Sequence, residues 1–208
     1  MEARASSQDR SRFPRVSGQV VVTLAALGPL AWLGISTLSG TLGANPVETL
    51  EHATGDWTLR LLLATLAVTP ARRTFGLSWL APYRRTLGLL AFAYCTLHLS
   101  IYALVDLWGA WDTLIEDVVK RPYVTAGATG FLLLLPLAIT STRAWMRRLG
   151  RRWVVLHRLV YGAAIAGCLH FLWLVKADHR EPAIYAGILA LLLLARVWPR
   201  PARASAAR

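Results

Sequence analysis

Six apolar runs of about 20 residues follow one another along the chain, and this recurrence constrains the fold more than any other feature. About 20 residues of helix, rising 1.5 Å each, cross the roughly 30 Å hydrocarbon core of a bilayer. Because backbone amides cannot stay unpaired in lipid, each run is expected to be a helix. The predicted spans are about 17–38, 54–71, 86–106, 122–140, 153–175 and 183–198.

The composition agrees with a membrane protein. The 208 residues are 55% hydrophobic and include nine Trp, which is too apolar for an ordinary soluble domain of this length. Neither a linker nor a repeat separates the runs. The sequence therefore predicts an all-α membrane protein with one domain at 17–198, a six-transmembrane-helix bundle, flanked by an N-terminal tail at 1–16 and a C-terminal tail at 199–208. The first run lacks a small-residue cleavage site, so we expect a retained anchor.

The basic residues set the expected topology. The formal net charge is +12, but the basic residues alternate by side rather than forming one patch, so we expect no nucleic-acid partner. The acidic residues concentrate in the other loops, which are expected to face outwards, and both termini are expected to be cytoplasmic. The segments assigned to the cytoplasm contain Arg4, Arg10, Arg12, Arg15, Arg72, Arg73, Arg84, Arg85, Arg143, Arg147, Arg148, Arg151, Arg152, Arg196, Arg200, Arg203 and Arg208.

Familiar hydrolytic and nucleotide motifs are missing from the sequence. It contains no P-loop, no GxGxxG, no Ser-His-Asp set and no paired carboxylates inside a predicted span. We therefore expect no catalytic residue for hydrolysis or ATP use.

Three of the five histidines lie inside predicted spans. His52 and His179 are assigned to outer loops, whereas His98, His157 and His170 fall within apolar helices. Ionisable residues inside a membrane are costly and usually face a bundle interior, a relay or a cofactor. Taken singly, each could equally be a neutral histidine that is hydrogen-bonded to a neighbouring helix.

The depths of His98 and His170 favour a shared site. His98 lies thirteen residues after Arg85, about 20 Å along a helix that runs outwards, and His170 lies six residues before Lys176. Both rings are therefore expected in the outer half of the membrane at similar depth. Two imidazoles on facing helices can supply the two axial nitrogens of a haem iron, so His98 and His170 are the predicted ligands.

His157 fits this arrangement less well. It precedes His170 by thirteen residues, which places the two rings about 140° apart around a helix. Arg84 also occupies the position where an inner partner for His157 would be expected. Three roles stay open for His157: ligand at a second site, hydrogen-bond partner of a quinone, or structural residue.

Several ordered motifs resemble one known family. The segments "GDWTLRLLLATLAVTP", "YRRTLGLLAFAYCTLHLSIYALVDL", "KRPYVTAGATGFLLLLPLAITST" and "LGRRWVVLHRLVYGAAIAGCLHFLW" are similar to those of MsrQ (YedZ) proteins. These are the haem-binding membrane subunits of periplasmic methionine sulfoxide reductase systems, within the ferric-reductase-like transmembrane group. The resemblance extends from about residue 43 to residue 196.

The resemblance implies a function in electron transfer in a bacterial inner membrane. It implies b-type haem on His98 and His170, an important role for His157, quinol as electron donor and flavin mononucleotide (FMN) as a further proposed cofactor. Electrons would pass to a periplasmic MsrP-like molybdenum enzyme, which would itself reduce methionine sulfoxide in oxidised proteins. This chain would thus be the electron-transfer subunit of an oxidoreductase complex.

Two other interpretations remain. One is a six-helix carrier or assembly protein whose histidines relay protons or bind a metal. The other is a stand-alone ferric or oxygen reductase of the same fold, supplied with electrons from the cytosol. Arg84, Arg85, Arg151 and Arg152 could hold a flavin phosphate or a quinone edge, although topology alone accounts for them.

Overall fold

A computed structural model describes residues 13–197, with side chains from residue 18 onwards, and this part of the chain is helical without strands. A short 3₁₀ turn, Ser78–Leu80, precedes the third helix. The helices are α1 Phe13–Leu38, α2 Pro46–Thr74, α3 Tyr83–Ser100, α4 Trp111–Lys120, α5 Pro122–Ile139, α6 Arg143–Leu149, α7 Arg151–Leu156, α8 Leu159–Leu174 and α9 Arg180–Val197.

Four segments of the described chain are long and apolar enough to cross a membrane, which makes this a multi-pass membrane protein. They are Gly18–Leu38, Tyr83–Asp106, Pro122–Ile139 and Arg151–Leu174. The predicted span 54–71 lies within α2, and residues 183–197 of the predicted span 183–198 lie within α9, but neither helix is among these four segments. The count of six spans and the cytoplasmic termini stay predictions, and the terminal segments 1–12 and 198–208 lie outside the described residues.

The structure departs from the predicted elements in four places. The third span continues beyond α3 as a π-helical segment, Ile101–Asp106. The fifth span is divided between α7 and α8 by a turn at residues 157–158. The loop predicted after the third span contains the amphipathic helix α4, and His52 lies within α2 rather than in a loop.

The bundle is built around two antiparallel helix pairs, α2 with α3 and α5 with α8. In the first pair Gly88 faces Thr65, and in the second Gly130 faces Ala163. Helix α1 packs on α3, and α9 packs on α2 and α8. The core is filled by leucines of α2 and by small residues of the other helices, among them Ala91, Ala163 and Ala164.

The two ends of the bundle differ in their connections. At one end, called here the α4 end, lie α4, the start of α2, the π-helical segment, the start of α5 and the end of α8. At the other, the α6 end, lie α6, α7 and the end of α9. Apolar side chains such as Val21, Leu132 and Leu191 are exposed between the ends, as expected for a surface that faces lipid.

Candidate histidine site

His98 is held by α2. It lies near the end of α3, where its Nδ1 donates a hydrogen bond to the main-chain carbonyl of Glu51 at 3.0 Å. Because a carbonyl can only accept, Nδ1 carries the hydrogen, and in the neutral imidazole Nε2 then keeps a free lone pair. This is the tautomer that binds a metal through Nε2.

His170 is held in the same way by α5. It lies near the end of α8, and its Nδ1 donates to the main-chain carbonyl of Tyr123 at 2.7 Å. Its Nε2 is therefore also the unprotonated nitrogen. A second-shell hydrogen bond of this kind fixes ring orientation and makes a histidine ligand more basic.

The two rings meet across one cavity. Their centroids are 6.0 Å apart, and their planes are inclined at 80°. A bond between a metal and an imidazole nitrogen is about 2 Å long. Two rings that bind one metal ion between them therefore have centroids separated by a distance close to the observed 6.0 Å. The cavity measures about 300 Å³ and is lined by both histidines.

The walls of the cavity are apolar and its α4 end is charged. Leu59, Leu62 and Phe131 belong to the apolar walls, whereas Glu51 and Asp106 lie at the charged end. An apolar cavity with a few polar groups at one end is typical of a cofactor site.

Glu51 is an unusual carboxylate at this end of the cavity. It precedes the second predicted span, and its Oε1 is buried without a hydrogen-bond partner among the described residues. Burial, reinforced by the neighbouring carboxylates of Asp106 and Glu48, raises the pKa of Glu51 to about 7. The group is therefore protonated to a larger extent at neutral pH than an exposed glutamate.

The donor set fits a haem better than a bare metal ion. Within residues 13–197, no group of three or more His, Cys, Asp or Glu side chains is arranged to hold a metal ion. Two axial imidazoles are sufficient for haem, because the macrocycle supplies the other four nitrogens. The site also lacks side chains where it needs space: a Cβ atom added at Gly127 would lie 2.8 Å from Nδ1 of His170.

His157 lies apart from this cavity, at the α6 end of the bundle. It stacks on Trp153, with ring centroids 3.8 Å apart, and its Nδ1 bonds the Trp153 carbonyl at 3.1 Å. Its Nε2 is buried without a partner in the described part of the chain. The structure therefore brings His98 and His170 together and leaves His157 separate.

Sequence reasoning missed the polar group beside the cavity. Asp117 is buried in α4, where it accepts a hydrogen bond from the hydroxyl of Tyr102 and pairs with Arg121, whose Nε lies 2.9 Å from Oδ1. Tyr102 and Arg121 both line the cavity. The spacing of the apolar residues in α4 could have indicated this helix from the sequence. No sequence pattern indicates the π-helical segment that contains Tyr102.

Comparison with known proteins identifies the family. Residues 54–168 match the family described as "Ferric reductase like transmembrane component". "Protein-methionine-sulfoxide reductase heme-binding subunit MsrQ" of Xanthomonas campestris pv. campestris (strain 8004) is 54% identical over 194 residues, covering 93% of this chain and 89% of the relative. The protein of the same name from Xanthomonas axonopodis pv. citri (strain 306) is 51% identical over 200 residues, covering 93% and 92%.

A bacterium of another genus also has a similar protein. The MsrQ subunit of Caulobacter vibrioides is 50% identical over 179 residues, covering 86% of this chain and 85% of the relative. No solved structure matches the chain. The predicted family is therefore confirmed: this chain belongs to the MsrQ (YedZ) family of ferric-reductase-like transmembrane proteins.

Proposed function

We propose that this chain is a b-type haem subunit that carries electrons across a bacterial inner membrane to a periplasmic methionine sulfoxide reductase. The single observation that carries the proposal is the pair of imidazoles across one cavity, each with Nδ1 bonded to a carbonyl and Nε2 free. The names of the relatives, which include "heme-binding subunit", support the same cofactor.

In this mechanism the protein supplies ligands, orientation and an apolar enclosure. His98 and His170 would hold the haem iron, and the chemistry that haem supplies when bound is one-electron exchange at iron. Arg121, a cation at the charged end of the cavity, is suited to pair with the carboxylates of haem.

The direction of flow is part of the proposal. Under the predicted topology the α4 end faces the periplasm, so a haem held there lies close to an external acceptor. We propose an MsrP-like molybdenum enzyme as that acceptor and as the site of sulfoxide reduction. On the donor side we propose quinol, with FMN as a further cofactor, at the α6 end where His157 and the cytoplasmic arginines lie.

An optical spectrum tests the haem assignment. The purified protein is expected to show a reduced b-type spectrum with dithionite, and His98→Ala or His170→Ala is expected to abolish it, because each variant removes one of the two imidazoles that would hold the haem. His179→Ala is the matched control, since His179 is exposed in a loop. Size-exclusion chromatography checks that each variant stays folded.

The same experiment separates the rival functions. A colourless parent protein would refute the haem proposal and favour a carrier or assembly protein. A haem protein that quinol fails to reduce, but that a cytosolic flavin donor reduces, would favour a stand-alone reductase instead.

A further inference from the structure

The two histidines are held by the same local arrangement, repeated on different helices. Glu51 and Tyr123, which supply the accepting carbonyls, both lie near the start of a helix, in α2 and α5. In each case the acceptor precedes its histidine by 47 residues. The first helix of each antiparallel pair therefore supplies the carbonyl and the second supplies the imidazole.

A glycine lies four residues after each accepting carbonyl. Within an α-helix a carbonyl points along the axis towards the amide four residues later, so the carbonyl of Glu51 points to Gly55 and that of Tyr123 points to Gly127. A ring that approaches either carbonyl from the side must pass close to the Cα of that glycine. The same spacing occurs at both sites.

The space that these glycines leave is the space that the rings need. A Cβ at Gly127 would lie 2.8 Å from Nδ1 of His170, and one at Gly55 would lie 3.3 Å from Cε1 and 3.4 Å from Nδ1 of His98. Because Nδ1 is attached close to the root of a rigid ring, relief requires rotation of the whole imidazole. That rotation would move Nδ1–H away from its carbonyl.

We propose that Gly55 and Gly127 are positioning residues for the two haem ligands. Each glycine, with the carbonyl four residues before it, forms a notch that receives Nδ1–H and directs Nε2 into the cavity. The inference rests on the proposed function, because it takes the two Nε2 atoms as ligands of one iron. Through these notches α2 and α5, which contribute no ligand, determine the properties of the site.

The two notches are not equally tight, so the loss of one should affect the haem more than the loss of the other. The His170 bond is shorter than the His98 bond, 2.7 Å against 3.0 Å, and the Gly127 contact is closer than the Gly55 contact. A hydrogen bond from Nδ1 makes the imidazole a stronger donor, which stabilises ferric over ferrous iron. Losing the His170 bond should therefore raise the midpoint potential more than losing the His98 bond.

The test compares Gly127→Ala and Gly55→Ala with Gly88→Ala. Gly88 lies on α3 outside the cavity lining, and a Cβ there would meet its nearest atom, in the Thr65 side chain, at 3.6 Å, an ordinary contact. We expect Gly127→Ala to raise the midpoint potential, alter the low-spin ferric EPR signal and weaken haem binding by about 10- to 100-fold. Gly55→Ala should shift the same quantities less, and Gly88→Ala should leave them at parent values.

If Gly127→Ala binds no haem, the orientation of His170 can still be measured in the apoprotein. In the apoprotein, ¹⁵N NMR of labelled histidine reports which ring nitrogen carries the hydrogen, and we expect the Nδ1–H form of His170 in the parent but not in Gly127→Ala. Unchanged EPR, potential and tautomer in both notch variants would overturn the inference. A parent that binds no haem, yet shows the expected tautomer change, would overturn the proposed function and leave the notch standing.

Discussion

Arg196 compensates for a hydrogen bond that Pro70 removes from α2. Proline has no N–H, so the carbonyl four residues before it, that of Leu66, loses its helical partner. Nη2 of Arg196 donates to this carbonyl at 2.5 Å, while Nη1 bonds the hydroxyl of Tyr161. The guanidinium also lies over the Tyr161 ring, 4.9 Å from its centroid. Arg196 thus ties the end of α9 to α2 and α8.

This arrangement predicts coupling between Arg196 and Pro70. Arg196→Met should lower the free energy of unfolding by about 1–3 kcal/mol, because the Leu66 carbonyl loses its donor. Adding Pro70→Ala should restore part of that loss, since the amide of residue 70 can then pair with Leu66. Unfolding by sodium dodecyl sulfate in mixed micelles measures each term of the cycle.

Pro136 in α5 provides the matched control for this cycle. Pro136→Ala combined with Arg196→Met should give additive effects, because Pro136 frees a carbonyl that Arg196 does not contact. Additivity in the Pro70 cycle as well would contradict the compensation.

The sequence predicted which histidines share a cavity but not what holds them. Depth along two helices was sufficient to pair His98 with His170, because helix rise converts position into distance. Their acceptors are main-chain carbonyls, which every residue possesses, so no residue type marks Glu51 or Tyr123 as partners. The sequence indicated only that Arg196 belongs to a cytoplasmic segment. Its inward contacts depend on packing between α9 and α2.

At the scale of elements, α4 has the pattern of a helix that lies in the membrane surface. Leu114 and Val118 face the cavity, whereas Trp111, Ile115 and Val119 form an exposed apolar stripe. The helix directly connects two candidate spans, so it must lie close to a bilayer interface. A helix with an apolar stripe and charged residues on the opposite face is suited to that position.

Spin-label accessibility tests this position for α4. In a variant that lacks Cys95 and Cys168, a label at Ile115→Cys should be more accessible to oxygen than to a water-soluble nickel complex in lipid nanodiscs. A label at Glu116→Cys, one residue further on the polar face, should show the reverse. Equal access of the nickel complex to both labels would place α4 in water rather than at the lipid surface.

The elements that the sequence missed are those without a hydrophobic signal of sufficient length. Long apolar runs predicted the membrane-crossing helices because each must match the thickness of the bilayer. Helix α4 has ten residues and a polar face, so its sequence pattern indicated a charged loop rather than a helix. The turn between α7 and α8 contains neither Gly nor Pro, and the π-helical segment is as apolar as the helix it continues.

For the whole molecule, the two ends of the bundle have different tasks in the proposed electron path. His98 and His170 lie at the α4 end, and His52 and His179 belong to segments of that same end. His157 is therefore the one histidine of the chain at the α6 end, without a second imidazole opposite it. Its Nε2 has no partner among the described residues. Because Nδ1–H donates to the Trp153 carbonyl, Nε2 can only accept, so in the proposed electron path it would accept a hydrogen bond from a quinol hydroxyl.

Replacing His157 tests this division of tasks. His157→Ala should slow reduction of the haem by quinol, whereas dithionite should still give the parent spectrum and the EPR signal of the His98–His170 site should persist. His157→Gln should recover part of the quinol rate because its amide oxygen can accept a hydrogen bond from a quinol hydroxyl. Stopped-flow absorbance measures the rate, with His179→Ala as the control. Haem content reduced by half would instead assign His157 as a ligand at a second site, and an unchanged quinol rate would leave it a structural role.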